Sequence, residues 1–290
     1  MKVELLFEAG LETGEGPVWD ARLQCLYCVD STNPSVWMFD ADGGVLDRIA
    51  LPQCIGFVAL TENTNLLIVG LEDGLYLLDR ATRELKFLMD PEPNTPTNRI
   101  NDGIVDLDGS LVFGTLHGEH TKPEGAFYHV SKSQELTQFD TGYIVSNGPY
   151  PHPDGKRFLT ANSEIYEVYV FDRAASGGFE NKRLFCDWQR SWGIPDGIVC
   201  DTDGGVWIGT WGGSRVMRFT SDGAVDFQIE FPVSQVTKVA FGGADLTDIY
   251  VTTAHRGLSR RDEPLAGSLF RVKTPFVGIP AGISHVEFHY

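Results

Sequence analysis

What this chain lacks narrows its reading before any motif is considered. Basic residues are scarce: 23 Lys and Arg stand against 40 Asp and Glu in 290 residues, a formal charge of −17. Neutralising a phosphate backbone takes clustered Lys and Arg, so no nucleic-acid partner is expected. The acidic balance suits cation binding, and equally suits plain solubility. Cysteine is sparse and odd in number (Cys25, Cys28, Cys54, Cys186, Cys200), which gives no disulfide framework. Cys25 and Cys28 form C-x-x-C, but LQCLYCVD around them alternates as a strand does, so a redox or zinc role is disfavoured. Long apolar runs are missing, and MKVELLFEAG has no basic region ahead of an apolar one. No membrane partner and a cytoplasmic location are therefore expected. The chain also lacks G-x-S-x-G, which disfavours a serine esterase, and a phosphate-cradling or dinucleotide fingerprint in strand-turn-helix context. Finally, no stretch carries convincing apolar spacing of three and four, so alternating βα units are not expected.

What is present is glycine, proline and repetition. Thirty-two Gly and 15 Pro are spread along the chain, which implies many turns and short strands. Apolar runs recur as LYCVD (26–30), LLIVG (66–70), LVFGT (111–115), FLTAN (158–162), VWIGT (206–210) and IYVTT (249–253), spaced 40 to 48 residues apart. A second run follows each one, from VWMFD (36–40) to SLFRV (268–272), and edge-like runs such as VLDRIAL (45–51), ELTQF (135–139) and KRLFC (182–186) follow those. Asp-Gly turns punctuate the series at 42–43, 73–74, 108–109, 154–155, 203–204 and 222–223. Six units of about four strands predict an all-β, six-bladed β-propeller over residues 1–290 as one domain. The sixth unit is short of an outer strand. VELLFE (3–8) is expected to supply it and close the ring, which removes an exposed edge.

Three phrases share a further detail. INDGIVDLDG (100–109), SNGPYPHPDG (146–155) and IPDGIVCDTDG (194–204) place Asn101, Asn147 and Asp196 eight residues before the Gly of an Asp-Gly turn. Ten or eleven residues before each first run, the equivalent positions are Glu15, Gly56, Asn101, Asn147, Asp196 and Lys238. The innermost strand of every blade lines the propeller axis, so residues of equal phase are expected to form a ring. Glu15, Asn101, Asn147 and Asp196 then offer oxygen ligands with two carboxylate charges, a set for a hard divalent ion. Any one of them alone would read as a turn or cap former. Turn formation does not explain why Glu15 falls in phase.

These phrases, with GEGPVWD (14–20), FGTLHGE (113–119), GGSRVMRF (212–219) and VTKVAFGGADLTDIYVTTA (236–254), resemble the senescence-marker-protein/gluconolactonase/luciferin-regenerating-enzyme-like family, which includes regucalcin. The resemblance runs in order from about residue 11 to about 285 and lies nearest to bacterial sugar-acid lactonases. It implies hydrolysis of an aldonolactone, such as a xylono-, arabino- or gluconolactone. One divalent cation is implied at Glu15, Asn147 and Asp196: Ca²⁺ first, with Zn²⁺, Mn²⁺, Mg²⁺ and Fe²⁺ as alternatives. Asp196 is further implied as general base, and Arg99, Asn101 and Glu119 as substrate-binding residues. His117, between the strand LVFGT and Glu119, is read as a loop histidine satisfied by its neighbours. The implied partner is a small-molecule sugar lactone; monomer and dimer are left open. Two other readings stay in play: a phosphotriesterase or fluorophosphatase on the same metal propeller, and a non-enzymatic calcium-binding protein of the regucalcin type.

Overall fold

The computed structural model describes residues 1–175 and 177–288. Among them the strands form six sheets in a ring, a six-bladed β-propeller. Blade 1 runs outward from the axis through Gly14–Asp20, Cys25–Asp30, Ser35–Asp40 and Val45–Ala50. The inner strands of blades 2 to 6 are Ile55–Thr61, Asn98–Val105, Ser146–Pro151, Ile194–Cys200 and Val236–Gly242. Neighbouring strands within a blade pair antiparallel, as short hairpin loops require. Burial falls from the axis outward. Cys25–Asp30 is buried at all six positions, because blades cover both of its faces. Val45–Ala50, the outer strand of that blade, is mostly exposed. That gradient is why inner runs read as continuous apolar segments and outer runs carry charge.

The ring closes as the sequence implied. Val3–Phe7 is the outer strand of blade 6, in register with Leu269–Lys273 (Val3 opposite Val272, Leu5 opposite Phe270). Across the seam to blade 1, Trp19 stacks on Tyr250 with ring centroids 5.3 Å apart, and the Thr237 hydroxyl donates to the Gly14 carbonyl at 2.6 Å. Two outer strands differ from expectation, that of blade 3 spanning Leu136–Tyr143 instead of 135–139. That of blade 4 spans Phe179–Leu184 instead of 182–186, because Phe179 packs its ring against Phe139 and Phe158 at 4.4 and 4.6 Å. That packing starts the strand directly after the Gly pair.

The last described residues do something the repeat does not foretell. Beyond blade 6 the chain crosses the axial end where the inner strands finish. The Thr202 amide donates to the Val277 carbonyl at 2.8 Å in blade 5. Ile283–Ser284 pairs parallel with Leu60 and Thr61 of blade 2. In blade 3 the His285 amide donates to Gly109 at 2.9 Å and the Glu287 amide to Lys132 at 3.0 Å, while Phe288 is buried in the core shared by blades 2 and 3. Four blades are thus tied by one strap. Among the described residues no helix is long and apolar enough to cross a membrane.

Blades approach closely at the glycine of the second strand of blade 5. A Cβ on Gly209 would lie 2.0 Å from the Thr237 carbonyl oxygen in blade 6, a backbone atom with nowhere to move. Gly209→Ala is therefore expected to destabilise the protein by about 1–3 kcal/mol or more, read as a lower urea midpoint. A wild-type midpoint would show that the blades separate easily.

Candidate active site

All six inner strands break register with their neighbours at one level. The irregularity falls between Glu15 and Val18, Ile55 and Phe57, Ile100 and Asp102, Asn147 and Tyr150, Pro195 and Ile198, and Val236 and Val239. A bulge bends its strand and re-aims a side chain. Six at equal phase turn the phase-matched residues toward the axis together. In blades 1 and 4 the bulge uses a glycine of positive φ, Gly16 at +51° and Gly148 at +59°. A Cβ on Gly148 would also stand 2.4 Å from Ile198, so glycine is required there twice over.

The result is a cavity of about 420 Å³ at the axial end opposite the strap. Glu15, Asn101, Asn147 and Asp196 lie on its floor and Arg99 on its wall. Asn101 Nδ2 donates to Asn147 Oδ1 and to the Ser146 carbonyl, both at 2.8 Å, and Asn147 Nδ2 donates to Ser163 Oγ at 3.0 Å. These donors fix both amides, leaving Asn147 Oδ1 a further lone pair. Arg99 Nη1 donates to Asn101 Oδ1 and to the Ile100 carbonyl at 3.1 Å each. The sequence-selected residues Glu15, Asn101, Asn147, Asp196 and Arg99 are thus brought together.

Glu119 is not. It is exposed and outside the cavity lining, in a turn where its amide lies 3.3 Å from Nδ1 of the buried His117. The structure does not bring Glu119, expected to bind substrate, together with that group; His120, in a left-handed conformation with φ +56°, lines the cavity instead. His120 Nε2 lies 3.3 Å from Arg99 Nη2. Arg256, Trp211 and Gln235 also line the cavity and were not singled out from sequence. They sit in loops and at a strand end, where no repeat phase marks direction.

The floor is electrostatically strained. Burial raises the Glu15 carboxyl to about 8, with Asp102 adding to the rise. Burial, followed by repulsion from Glu15 and Asp102, pushes Asp196 well above the ordinary carboxylate range, and no hydrogen bond offsets that. Beneath them Lys238 reaches across the axis and donates to both Asp102 oxygens at 2.6 and 2.8 Å. Asp102 Oδ2 also accepts the Gly148 amide at 3.0 Å, and the Lys238 stem covers Gly197, where a Cβ would lie 2.2 Å from Cγ. Among the described residues no three His, Cys, Asp or Glu cluster as metal ligands. The set is two desolvated carboxylates with amide oxygens, an all-oxygen donor set that fits a hard divalent cation.

The chain is similar to known proteins over most of its length. A family model described as "SMP-30/Gluconolactonase/LRE-like region" matches residues 13–255. The L-arabinolactonase of Azospirillum brasilense is 33% identical over 282 residues, covering 95% of this chain and 93% of that protein. The 6-deoxy-6-sulfogluconolactonase of Pseudomonas putida is 31% identical over 268 residues, with 90% and 92% covered. Among solved structures, a calcium-binding protein, regucalcin, from Agrobacterium tumefaciens strain C58 superposes with a TM-score of 0.92 at 26% identity, covering 100% of this chain and 98% of that one.

Two predictions arise from the floor. Lys238→Met keeps the stem but leaves Asp102 a buried carboxylate without its cation. A loss of about 3–5 kcal/mol is expected, and an unaltered urea midpoint would show the pair to be dispensable. The second concerns pH. Folded Glu15 holds its proton up to about 8, against 4.5 as its ordinary value. The folded state therefore binds more protons than the unfolded state across that window, and stability falls as pH rises through it. Chelator-treated protein is expected to melt at a lower temperature at pH 8 than at pH 5, with added divalent cation restoring more at pH 8. A melting temperature that rises between those values would refute the arrangement.

Proposed function

The chain belongs to the SMP-30/gluconolactonase/LRE-like family, and from that premise we propose that it is a metal-dependent lactonase opening a sugar (aldono) lactone to its aldonic acid. Relatives named for arabinolactone and sulfogluconolactone hydrolysis support the substrate class. The observation that carries the reading is the convergence of Glu15, Asn147 and Asp196, with Asn101 beside them, on the floor of one cavity whose wall holds Arg99. A divalent cation held by Glu15, Asn147 and Asp196 would supply Lewis-acid polarisation of the lactone carbonyl.

The chain's own residues do the rest. Asp196, on the cavity floor beside Glu15 and Asn147, accepts the proton of the attacking water as general base. The water oxygen bonds to the carbonyl carbon, the ring C–O bond breaks, and the proton returns to the leaving alkoxide. Asn101 is locked by its bonds to Asn147 and Ser146, so it presents a fixed polar edge beside the reacting carbon. Arg99 offers its remaining N–H groups to ring or hydroxyl oxygens in a rigid fork.

Asp196→Asn retains the shape and removes both the base and one ligand charge. Hydrolysis of pentono- and hexonolactones, followed with a pH indicator, is expected to fall by about 10²–10⁴-fold. Elemental analysis of the same preparations should show the bound metal diminished. Full turnover by the variant or by metal-stripped protein would overturn the mechanism. Metal binding with no lactone opened above the spontaneous rate would instead favour a calcium-binding role.

A further inference from the structure

The wall of the cavity carries a charge arrangement that opening a neutral lactone does not require. Arg99 and Arg256 both face the cavity, and neither forms an ion pair with a carboxylate among the described residues. In a chain with 40 acidic residues against 23 basic ones, arginines commonly find carboxylates, as Arg22, Arg83, Arg173, Arg218 and Arg271 do here. Arg99 is held below its ordinary range, chiefly by burial and in part by Arg256, despite the opposing influence of Cys54, Glu72 and Glu15. His120 is driven down to about 4 by burial, then by Arg99 and Arg256. Its Nε2 lies 3.3 Å from Arg99 Nη2.

The loop carrying Arg256 is anchored. The Arg256 amide donates to the Glu12 carbonyl at 2.9 Å and its carbonyl accepts from Gln235 Nε2 at 3.2 Å. Its guanidinium makes no hydrogen bond among the described residues and stands exposed at the cavity mouth. The negative groups facing the same space are Glu15 and Asp196 on the floor and exposed Glu164 at the rim. A divalent cation on the floor would offset both floor carboxylates, leaving two arginines against Glu164 alone. Like charges gathered in this way cost free energy, which an anion between them returns.

We propose that Arg99 and Arg256, with His120 beside Arg99, form a subsite for an anionic substituent on the substrate, so that the preferred lactone carries a carboxylate, sulfonate or phosphate remote from the reacting carbonyl. This rests on the lactonase reading and adds the charge class of the substrate to it. Arg99 gives the buried, oriented half of the subsite; Arg256 gives the half that meets the ligand at the mouth.

A matched pair of substrates tests it. Glucono-1,4-lactone and glucaro-1,4-lactone differ only in a terminal CH₂OH against a carboxylate. Wild-type protein is expected to favour the glucaro compound in kcat/KM. Arg256→Gln should lower the glucaro-to-glucono ratio about tenfold, through KM, and Arg256→Lys should restore part of it. The wild-type preference should shrink as NaCl is raised. Preference for the neutral lactone, or an equal loss on both in Arg256→Gln, would overturn the subsite while leaving the lactonase reading intact. If neither of these nor any pentonolactone is opened, the lactonase reading fails. Where neither of the pair is opened, calorimetric titration with glucarate and gluconate decides the subsite: glucarate binding about tenfold tighter than gluconate, with the difference lost in Arg256→Gln, supports it, and equal affinities sink it.

Discussion

The ion pair between Lys238 and Asp102 is the interaction on which the axis of this propeller depends. Lys238 comes from blade 6 and Asp102 from blade 3. Asp102 also holds the bulged backbone of blade 4 through the Gly148 amide, and the Lys238 stem lies on Gly197 of blade 5. Four inner strands therefore meet at one buried pair directly beneath Glu15, Asn147 and Asp196. A buried pair is weak evidence for net stability, since desolvation offsets much of its attraction. Its value is geometric: a charge that must be matched inside the axis fixes which blades stand opposite and at what height. Lys238 also supplies the cation that partly restrains the rise of Glu15 and Asp196.

With that frame fixed, the division between what the sequence disclosed and what it did not has a physical basis. Repeat phase is a property of the chain, and bulges at one level of every inner strand convert equal phase into equal direction. Glu15, Asn101, Asn147 and Asp196 were legible for that reason. Lys238 shares their phase, yet its partner Asp102 is one step beyond the phase of Asn101, and no periodicity links them. Glu119 and His120 illustrate the limit most sharply. They are adjacent in one turn, and only the positive φ of His120 decides which of them enters the cavity. Nothing in FGTLHGE reveals that torsion. Arg256 was equally hidden, because its position is set by backbone bonds to Glu12 and Gln235 from distant parts of the chain.

The fold itself was more open to reading, and its exceptions are of one kind. Spacing and turn chemistry reflect local preferences that every blade repeats, so six blades and the closing role of Val3–Phe7 followed from them. The strap through Gly278 and Ile283 has no counterpart elsewhere in the chain. It exists because the end of the axis opposite the cavity would otherwise expose inner-strand apolar surface such as Val18, Val58 and Phe241. Its glycines are shaped to that task, for a Cβ on Gly278 would lie 2.0 Å from Phe241 Cβ.

Closing one axial end changes what the other can do. A channel open at both ends would hydrate Glu15 and Asp196 from below and relax their proton affinities toward ordinary values. The strap covers the opposite end, and the Lys238–Asp102 pair stands between it and the floor. Low hydration strengthens every charge interaction on the floor, which raises the attraction for a cation and sharpens the contrast with the arginine wall. The chain thus separates its charged groups across a single cavity: two desolvated carboxylates below, two arginines and a partly open mouth above. With a divalent cation on that floor, a ligand that is electron-rich at its reacting carbonyl and anionic at its far end would meet complementary charge at both.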